Sequence, residues 1–179
     1  MDLHVRMQGD HAVLDWGAGA RRAAIGPGGI AVKGGEGDGV TPIGVWPVRE
    51  IFYRADRIAK PDVTLPLRAI APDDGWCDAP ENENYNRLVK LPYPASAEHM
   101  WREDHLYDLV AVLGFNDDPV VAGKGSAIFL HLARSVGGSR SDNSKEPDYA
   151  PTHGCVALAF ADLLAALEQL QPGDRVVIG

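Results

Sequence analysis

The sequence predicts a mainly-β domain with one helix near its C-terminus. Short stretches in which apolar and polar residues partly alternate recur along the chain, and turns rich in glycine or proline separate them. One later stretch instead has the period of an amphipathic helix. Because strands outnumber helices in this pattern, we expect a mainly-β fold, and a chain of 179 residues is long enough for one domain with its own core.

The first part of the chain predicts a sheet of short strands. Gly9 and Asp10 separate the first two strands, which we expect to form a β-hairpin. Residues 26–44 are rich in glycine and are predicted to be a loop. Pro47 lies within the next strand, and because proline has no backbone N–H, it indicates an edge strand or a bulge rather than a central strand. The predicted strands cover residues 2–7, 11–16, 21–25 and 45–54.

Residues 55–105 form a long excursion with little periodicity and many prolines. A segment of this length without secondary structure is unusual in a compact domain and is often functional. We therefore interpret it as a lid or substrate wall within a single domain that spans residues 1–179. Its aromatic residues Trp76 and Tyr85 are candidates to line a substrate cleft, although such residues more often form a small core of their own.

The last third of the chain returns to strands and contains the helix. Apolar residues at i, i+3, i+4 and i+7 predict an amphipathic helix over residues 160–170, which Pro172 and Gly173 end. The apolar stripe consists of Phe160, Leu163, Leu164 and Leu167. The predicted strands cover residues 106–116, 127–134 and 175–178.

The charge balance argues against some classes of partner. A net charge of −8 and a pI near 5.1 disfavour nucleic acid and anionic membrane surfaces. No run of about 20 apolar residues is present, so no membrane span is predicted. The N-terminus lacks the basic start and apolar stretch of a signal peptide. We expect a cytoplasmic protein if this N-terminus is native, and a periplasmic or cell-envelope protein if a signal peptide was removed.

A histidine and a cysteine in the last third of the chain are the candidate catalytic residues. His131 lies in the apolar strand 127–134, and Cys155 follows Gly154 in a turn of small residues. In an extended strand the His131 side chain points away from its two neighbours, so the imidazole can face a cleft while they fill the core. Cysteine is a nucleophile as the thiolate, and a nearby imidazole can accept the thiol proton and hold the charge as an ion pair.

The turn around the cysteine has features of an oxyanion site. Gly154 permits a tight turn and a close backbone approach to a substrate carbonyl. The N–H groups of Gly154 and Cys155 are then candidates for the oxyanion hole, where one donor contributes about 3–4 kcal/mol. This predicts catalysis by the pair of Cys155 and His131.

Plainer interpretations remain for these residue types. A lone histidine in an apolar strand is more often a hydrogen-bonded core residue, and a lone cysteine is usually inert packing. The two cysteines of the chain could also form one disulfide, but Cys77 has no His-Gly-Cys context and is interpreted as a packing residue. His99 and His105 have no third ligand nearby in sequence, which argues against a metal site.

Two ordered segments resemble a known family. The segment THGCVAL, preceded by a strand histidine, is similar to the signature of the L,D-transpeptidase family with its YkuD-type catalytic domain. The segment GDGVTPIGVWPV at residues 37–48 is similar to the family's second recurring segment, and the resemblance extends from about residue 25 to the C-terminus. The segments WCDAPENENYNRLV and LYDLVAVLGFN resemble a small subgroup that lacks a visible export signal.

This resemblance implies a β-sandwich-type catalytic domain that acts on peptidoglycan stem peptides without a metal or cofactor. Cys155 would be the nucleophile and His131 its proton acceptor and donor, oriented by the backbone carbonyl of Leu132. Three residues would support the turn and the oxyanion site: Thr152, His153 and Gly154. The candidate substrate-binding residues are Arg134, Tyr85 and Trp76.

The sequence departs from the family pattern in two places. The loop between His131 and Thr152 is longer than usual, which enlarges the lip over the site at residues 135–151. Ala157 stands where the family often has Arg or Asn, so a polar group that supports the turn or binds the substrate carboxylate is missing. Arg134 or Arg140 is a candidate to replace it.

The resemblance leaves several functions open. A thioester on the cysteine is resolved either by an amine of a second stem peptide, which gives a crosslink, or by water, which makes the protein an L,D-carboxypeptidase that trims soluble muropeptides. The absence of a visible signal favours the second route. An inactive module that binds peptidoglycan fragments and an unrelated thiol hydrolase are the alternatives. The sequence does not decide the oligomeric state.

Overall fold

The computed structural model describes residues 1–136 and 148–179, and this part of the chain is mainly β with one helix. The strands of the first half are β1 (Asp2–Gln8), β2 (His11–Asp15), β3 (Arg21–Ala23), β4 (Ile30–Ala31), β5 (Thr41–Pro42), β6 (Gly44–Tyr53), β7 (Leu67–Ala69) and β8 (Asp74–Cys77). The remaining elements are β9 (Leu88–Lys90), β10 (Ala97–His99), β11 (Leu109–Leu113), β12 (Phe129–Leu132), β13 (Val156–Leu158), α1 (Phe160–Glu168) and β14 (Arg175–Ile178).

The main sheet has the strand order β13-β12-β11-β6-β14-β1-β2-β3, with β7 paired beside β6. Three of its pairings are parallel, β12 with β13, β1 with β14 and β6 with β7, and the others are antiparallel. Its two ends meet, because Ala24 and Ala157 form an antiparallel bridge with N–H to O distances of 2.7 and 2.9 Å. The sheet is therefore nearly closed, and the prediction of a mainly-β, β-sandwich-type domain with a C-terminal helix is confirmed.

The predicted N-terminal hairpin is confirmed, but the edge position predicted for the Pro47 strand is wrong. Strand β6 is central and pairs with β14 on its first half and with β11 on its second half. Pro47 is the last residue that pairs with β14, and Val48 is the first that pairs with β11. The N–H that proline lacks therefore falls at the point where the hydrogen bonds to β14 end and those to β11 begin. A register shift opposite Val112 and Leu113 is the predicted bulge.

The excursion at residues 55–105 has more structure than its sequence predicts. It contains β7 and a separate three-stranded sheet of order β10-β8-β9. Trp76, Cys77 and Met100 from this segment are buried, and Trp76 and Met100 pack with Phe129 of β12 in a second apolar cluster. The glycine-rich region 26–44 likewise contains the short parallel pair β4 and β5. Main-chain pairing, which the alternation of side chains does not reveal, orders both regions.

Helix α1 is confirmed, and its buried face includes Leu163 and Leu167 of the predicted stripe but not Phe160 or Leu164. It ends at Glu168, and Leu163, Ala166 and Leu167 are fully buried on it. Phe160, the first residue of the predicted stripe, is 40% exposed. The helix packs against β11, β12 and β13, so it supports the strands that carry the candidate catalytic residues. None of the helices in the described residues is long and apolar enough to cross a membrane.

We expect Leu167→Ala to lower the free energy of unfolding by about 2–5 kcal/mol, because it leaves a cavity under the helix. Phe160→Ala on the same helix is the control, and we expect a cost below about 1 kcal/mol because much of that side chain is already in water. Urea unfolding followed by circular dichroism measures both. Equal costs for the two variants would contradict the assignment of the buried face.

Candidate active site

The parallel pairing of β12 and β13 places the candidate histidine and cysteine on one face of the sheet. His131 is in register with Ala157, and Leu130 with Val156. Cys155 precedes Ala157 by two residues, and in extended chain such residues point to the same side. Cys155 and His131 both line one cavity of about 710 Å³. The structure therefore brings together the two residues that the sequence predicts to be catalytic.

His131 is held in one orientation and is kept neutral. Its Nδ1 lies 2.9 Å from the carbonyl oxygen of Leu132. A carbonyl only accepts hydrogen bonds, so Nδ1 carries the proton and Nε2 has the free lone pair. The ring packs edge-to-face against Tyr107, with centroids 5.4 Å apart. Burial lowers the pKa of His131 to about 4, and the imidazole is therefore a neutral base at physiological pH.

Cys155 is a buried neutral thiol rather than half of an ion pair. Its Sγ donates to the carbonyl oxygen of Ala127 at 3.1 Å and accepts the N–H of Phe129 at 3.4 Å. The pKa of Cys155 is raised to about 12, chiefly by burial and in smaller part by the Glu98 carboxylate, while the Phe129 N–H lowers it. The thiol bonds to Ala127 instead of His131 in this structure, so the ion pair expected from the sequence is not the resting state. Both cysteines are free, so the possible disulfide is excluded.

Two threonines fix the turn that carries Cys155. The Oγ1 of Thr152 donates to the carbonyl oxygen of Cys155 at 2.7 Å and accepts the N–H of Gly154 at 3.1 Å. The Oγ1 of Thr41 also donates to the Cys155 oxygen, at 3.4 Å, and accepts the N–H of Gly26 at 2.9 Å. Thr41 was missed as a site residue by the sequence analysis. Its position in the segment GDGVTPIGVWPV was the available signal.

Gly154 supports the turn through its backbone shape. Its φ is +136°, and a Cβ at this position would lie 2.8 Å from the carbonyl oxygen of Val40. A larger residue would therefore push the turn away from the 26–44 region. Because the Gly154 N–H donates to Thr152, it is already occupied in this arrangement, and the predicted oxyanion role for Gly154 has no free donor here. Cys155 keeps its N–H as the remaining predicted donor.

The cavity is bordered by the 26–44 region, the 55–105 excursion and the His-Gly-Cys turn. Its cations are engaged by carboxylates: Lys33 with Asp38 at 2.5 Å, and Arg102 with two oxygens of Asp104 at 2.6 and 2.9 Å. The charged and ionisable lining residues are Lys33, Glu36, Asp38, Asp78, Glu98, Arg102, Tyr107, His131, Arg134, His153 and Cys155. The lid or wall interpretation of the excursion stays a prediction, and the structure places three of its residues, Asp78, Glu98 and Arg102, at the cavity.

Of the residues predicted to support the turn and the substrate, some lie at the cavity and others do not. His153 is exposed and lines the cavity. Thr152 is buried and also lines it. Arg134 lines the cavity, with its guanidinium 3.0 Å from Asp104. Arg140 lies outside the described residues, as does most of the segment 135–151. Ala157 is 1% exposed and bridges to Ala24, so a longer side chain has little room there.

Tyr85 and Trp76, predicted as substrate-binding residues, do not line the cavity. The hydroxyl of Tyr85 donates to Glu36 and accepts the N–H of Gly125 at 3.0 Å. Trp76 donates to Asn86 at 3.0 Å and packs edge-to-face on Phe129. Both rings are buried by these contacts, so they act as packing residues behind the cavity wall. Within the described ranges no group of three or more His, Cys, Asp or Glu residues is arranged to hold a metal ion.

The comparison with known families agrees with the site. The family model of the L,D-transpeptidase catalytic domain matches residues 4–178, which is nearly the whole chain. No curated protein and no solved structure gives a significant match. The match includes both catalytic candidates and the region 26–44 that packs against their turn.

We expect Gly154→Ala to destabilise the protein strongly, because a Cβ there meets Val40 and the left-handed backbone disfavours a side chain. Gly123→Ala is the matched control: its φ is +73° and a Cβ would meet nothing within 4 Å. We expect about 1–2 kcal/mol for the control and at least twice that for Gly154→Ala. Thermal unfolding measures both, and equal losses would contradict the close approach of the turn to Val40.

We expect the alkylation of Cys155 by iodoacetamide to accelerate about tenfold per pH unit between about pH 7 and 10, without levelling off. The thiol pKa of about 12 lies above this range, so the thiolate fraction rises steadily across it. The rate is measured by mass spectrometry in a Cys77→Ala background, which leaves one thiol. A rate that is already constant near neutral pH would show that a thiolate–imidazolium pair exists at rest.

Proposed function

Since this chain belongs to the L,D-transpeptidase catalytic domain family, we propose that it transfers an acyl group of a peptidoglycan stem peptide through a thioester on Cys155. The observation that carries this proposal is the position of Cys155 and His131 on one face of the β12–β13 pair, at the wall of one cavity. The bond attacked is the one that joins the L-centre of a diamino acid to a terminal D-amino acid.

The orientation of His131 supports a defined proton path. Nε2 of His131 is free to accept because Nδ1 donates to Leu132. The thiol of Cys155 leaves its hydrogen bond with Ala127 and passes its proton to Nε2, and Sγ forms a bond with the substrate carbonyl carbon. The bond to the D-amino acid nitrogen then breaks, and that amine leaves with the proton from Nε2. The product is a thioester and a neutral imidazole.

The thioester is resolved by a second nucleophile. An amine of another stem peptide attacks the thioester carbonyl, gives its proton to His131, and forms a crosslink, while Sγ leaves and recovers a proton. Water follows the same path and releases a shortened stem peptide, which is L,D-carboxypeptidase activity. Ala150 and Pro151 line the cavity. The acceptor that reaches the thioester there decides between the two products.

One observation favours a second candidate, a module that binds peptidoglycan fragments without turnover. The thiol of Cys155 is buried and bonded to Ala127, and its pKa of about 12 leaves almost no thiolate at neutral pH. An enzyme of this arrangement needs the substrate to release the thiol and lower its pKa. The alternative of an unrelated thiol hydrolase is excluded by the family match.

We expect the protein to remove the terminal D-amino acid from a disaccharide tetrapeptide. Mass spectrometry of the products without an acceptor, and then with an added D-amino acid, separates the two routes: loss of the residue alone indicates a carboxypeptidase, and exchange or dimer formation indicates a transpeptidase. We expect Cys155→Ala to reduce the rate by at least about 10³-fold, because it removes the nucleophile.

Cys77→Ala is the matched control, since Cys77 is also a buried free thiol but lies away from the cavity lining. Its activity should stay within a few fold of the unmodified protein. Activity that survives in Cys155→Ala and is lost in Cys77→Ala would overturn the assignment of the nucleophile. Binding of the tetrapeptide with no product from the unmodified protein would support the binding module instead.

A further inference from the structure

One wall of the cavity carries two carboxylates from the small sheet of the excursion. Asp78 follows β8, and Glu98 lies in β10. The two strands are antiparallel, with Ala97 opposite Cys77, and the N–H of Asp78 continues the ladder to Ser96 at 3.2 Å. Asp78 and Glu98 are therefore diagonal neighbours on one face of this sheet, close enough for their charges to interact. Both line the cavity that holds Cys155.

One carboxylate oxygen of Asp78 has no hydrogen-bond donor. Its Oδ1 is buried and receives no hydrogen bond, and no other side-chain nitrogen or oxygen in the described part of the chain is in this state. A buried carboxylate oxygen that gives up water without gaining a donor is destabilising, and native structures rarely leave such a group unexplained. A cation that contacts this carboxylate in the bound state would remove the cost.

The cations on this wall do not balance its carboxylates. Glu98 accepts from Tyr107 at 2.6 Å and from Arg102 at 3.2 Å. Arg102 also holds Asp104 through two nitrogens, and Arg134 shares that same carboxylate. Two guanidinium groups therefore face three carboxylates, and one negative charge is left over. Burial raises the pKa of Glu98, and the nearby Asp78 carboxylate raises it as well, while Tyr107 and Arg102 lower it.

Lys33 on the other side of the cavity does not supply the missing charge. Its Nζ lies 2.5 Å from Asp38 and 3.4 Å from the carbonyl oxygen of Val40. The Asp38 carboxylate is fixed in turn by the N–H groups of Gly34, Gly35 and Val40. This pair belongs to the 26–44 region and stays there because backbone donors hold it. The uncompensated charge remains at Asp78 and Glu98.

We propose that Asp78 and Glu98 bind the ammonium group of the diamino acid in the stem peptide. This rests on the proposed function, in which the carbonyl attacked by Cys155 belongs to that same diamino acid. An ammonium group has three donors, which suit the carboxylates of Asp78 and Glu98, one of which has an oxygen without a hydrogen-bond donor. The subsite selects substrates whose side chain carries a free amine over substrates in which that amine is acylated.

The same contact gives a reason why a buried thiol becomes reactive when substrate is bound. The negative charge of Glu98 disfavours the Cys155 thiolate, because it raises the pKa of that thiol. An ammonium group beside Glu98 offsets this charge within the cavity, where electrostatic effects are stronger than in bulk water. Substrate binding and thiol activation are thereby linked through one carboxylate.

Binding to a Cys155→Ala protein tests the subsite without requiring turnover. Two disaccharide tetrapeptides are compared by isothermal titration calorimetry, one with the side-chain amine free and one with it acetylated. We expect the free amine to bind on the order of tenfold to a hundredfold more tightly. Adding Asp78→Asn should reduce this ratio to near one, by weakening the free amine and leaving the acetylated peptide unchanged. Adding Asp73→Asn, at an exposed carboxylate near the start of β8 that pairs with Lys90, should preserve the ratio.

Different results contradict the ammonium subsite and the proposed catalysis. Equal binding of the two peptides, no detectable binding of either, or a preference that survives in Asp78→Asn overturns the subsite. Glu98→Gln is the second variant if Asp78→Asn does not fold, and it too should reduce the ratio. Turnover by the protein with Cys155 intact is measured separately: preferential binding without products contradicts the proposed catalysis alone, and equal turnover of both peptides contradicts the subsite alone.

Discussion

The close backbone approach between the His-Gly-Cys turn and the 26–44 region is the constraint on which the catalytic arrangement depends. A Cβ on Gly26 would lie 2.0 Å from the Gly39 oxygen and 3.1 Å from the Gly154 Cα, so only glycine allows these chains to touch. Thr41 then reaches the Cys155 carbonyl. Two segments that lie more than a hundred residues apart in sequence therefore form one structural unit, which explains why both carry the resemblance to the family.

The sequence predicted the strands with clear alternation and the helix, and it singled out Cys155 and His131, which the structure places at one cavity. These features follow from local pattern and residue chemistry. It did not predict the small sheet in the excursion, since strands of three or four residues leave no readable period. Tyr85 and Trp76 show the same limit: an aromatic residue suits both a cleft and a core, and only the partners of its polar atom, Glu36 and Asn86, assign it to packing. Nothing in the sequence singled out Asp78, because what distinguishes it is a side-chain oxygen without a hydrogen-bond donor, and only the structure shows this.

The electrostatics of the site differ from those of a cysteine enzyme poised as an ion pair. Burial acts in opposite directions on the two residues, lowering the pKa of His131 and raising that of Cys155, so both are neutral at rest. A neutral pair avoids the cost of two buried charges and protects the thiol from oxidation, which also proceeds through the thiolate. The energetic cost of forming the two charges arises only during the reaction, when bound substrate has to lower the pKa of the thiol.

The excursion at residues 55–105 is the part of the fold suited to hold a substrate group that changes the electrostatics around Cys155. Arg54 and Arg57 both donate to the carbonyl oxygen of Arg102, at 2.7 and 2.9 Å, and Arg54 stacks on Trp101, so the backbone beside the acidic wall is fixed from behind. A wall anchored in this way holds its carboxylates in place without enough counter-charge, which a flexible loop would avoid by turning them to water. Fixed, undercompensated charge is a form of preorganisation, because the interaction is completed only by a cation of the right shape and position. In the proposed function, the strand and turn that carry Cys155 and His131 supply the chemistry, and the excursion supplies the discrimination between substrates.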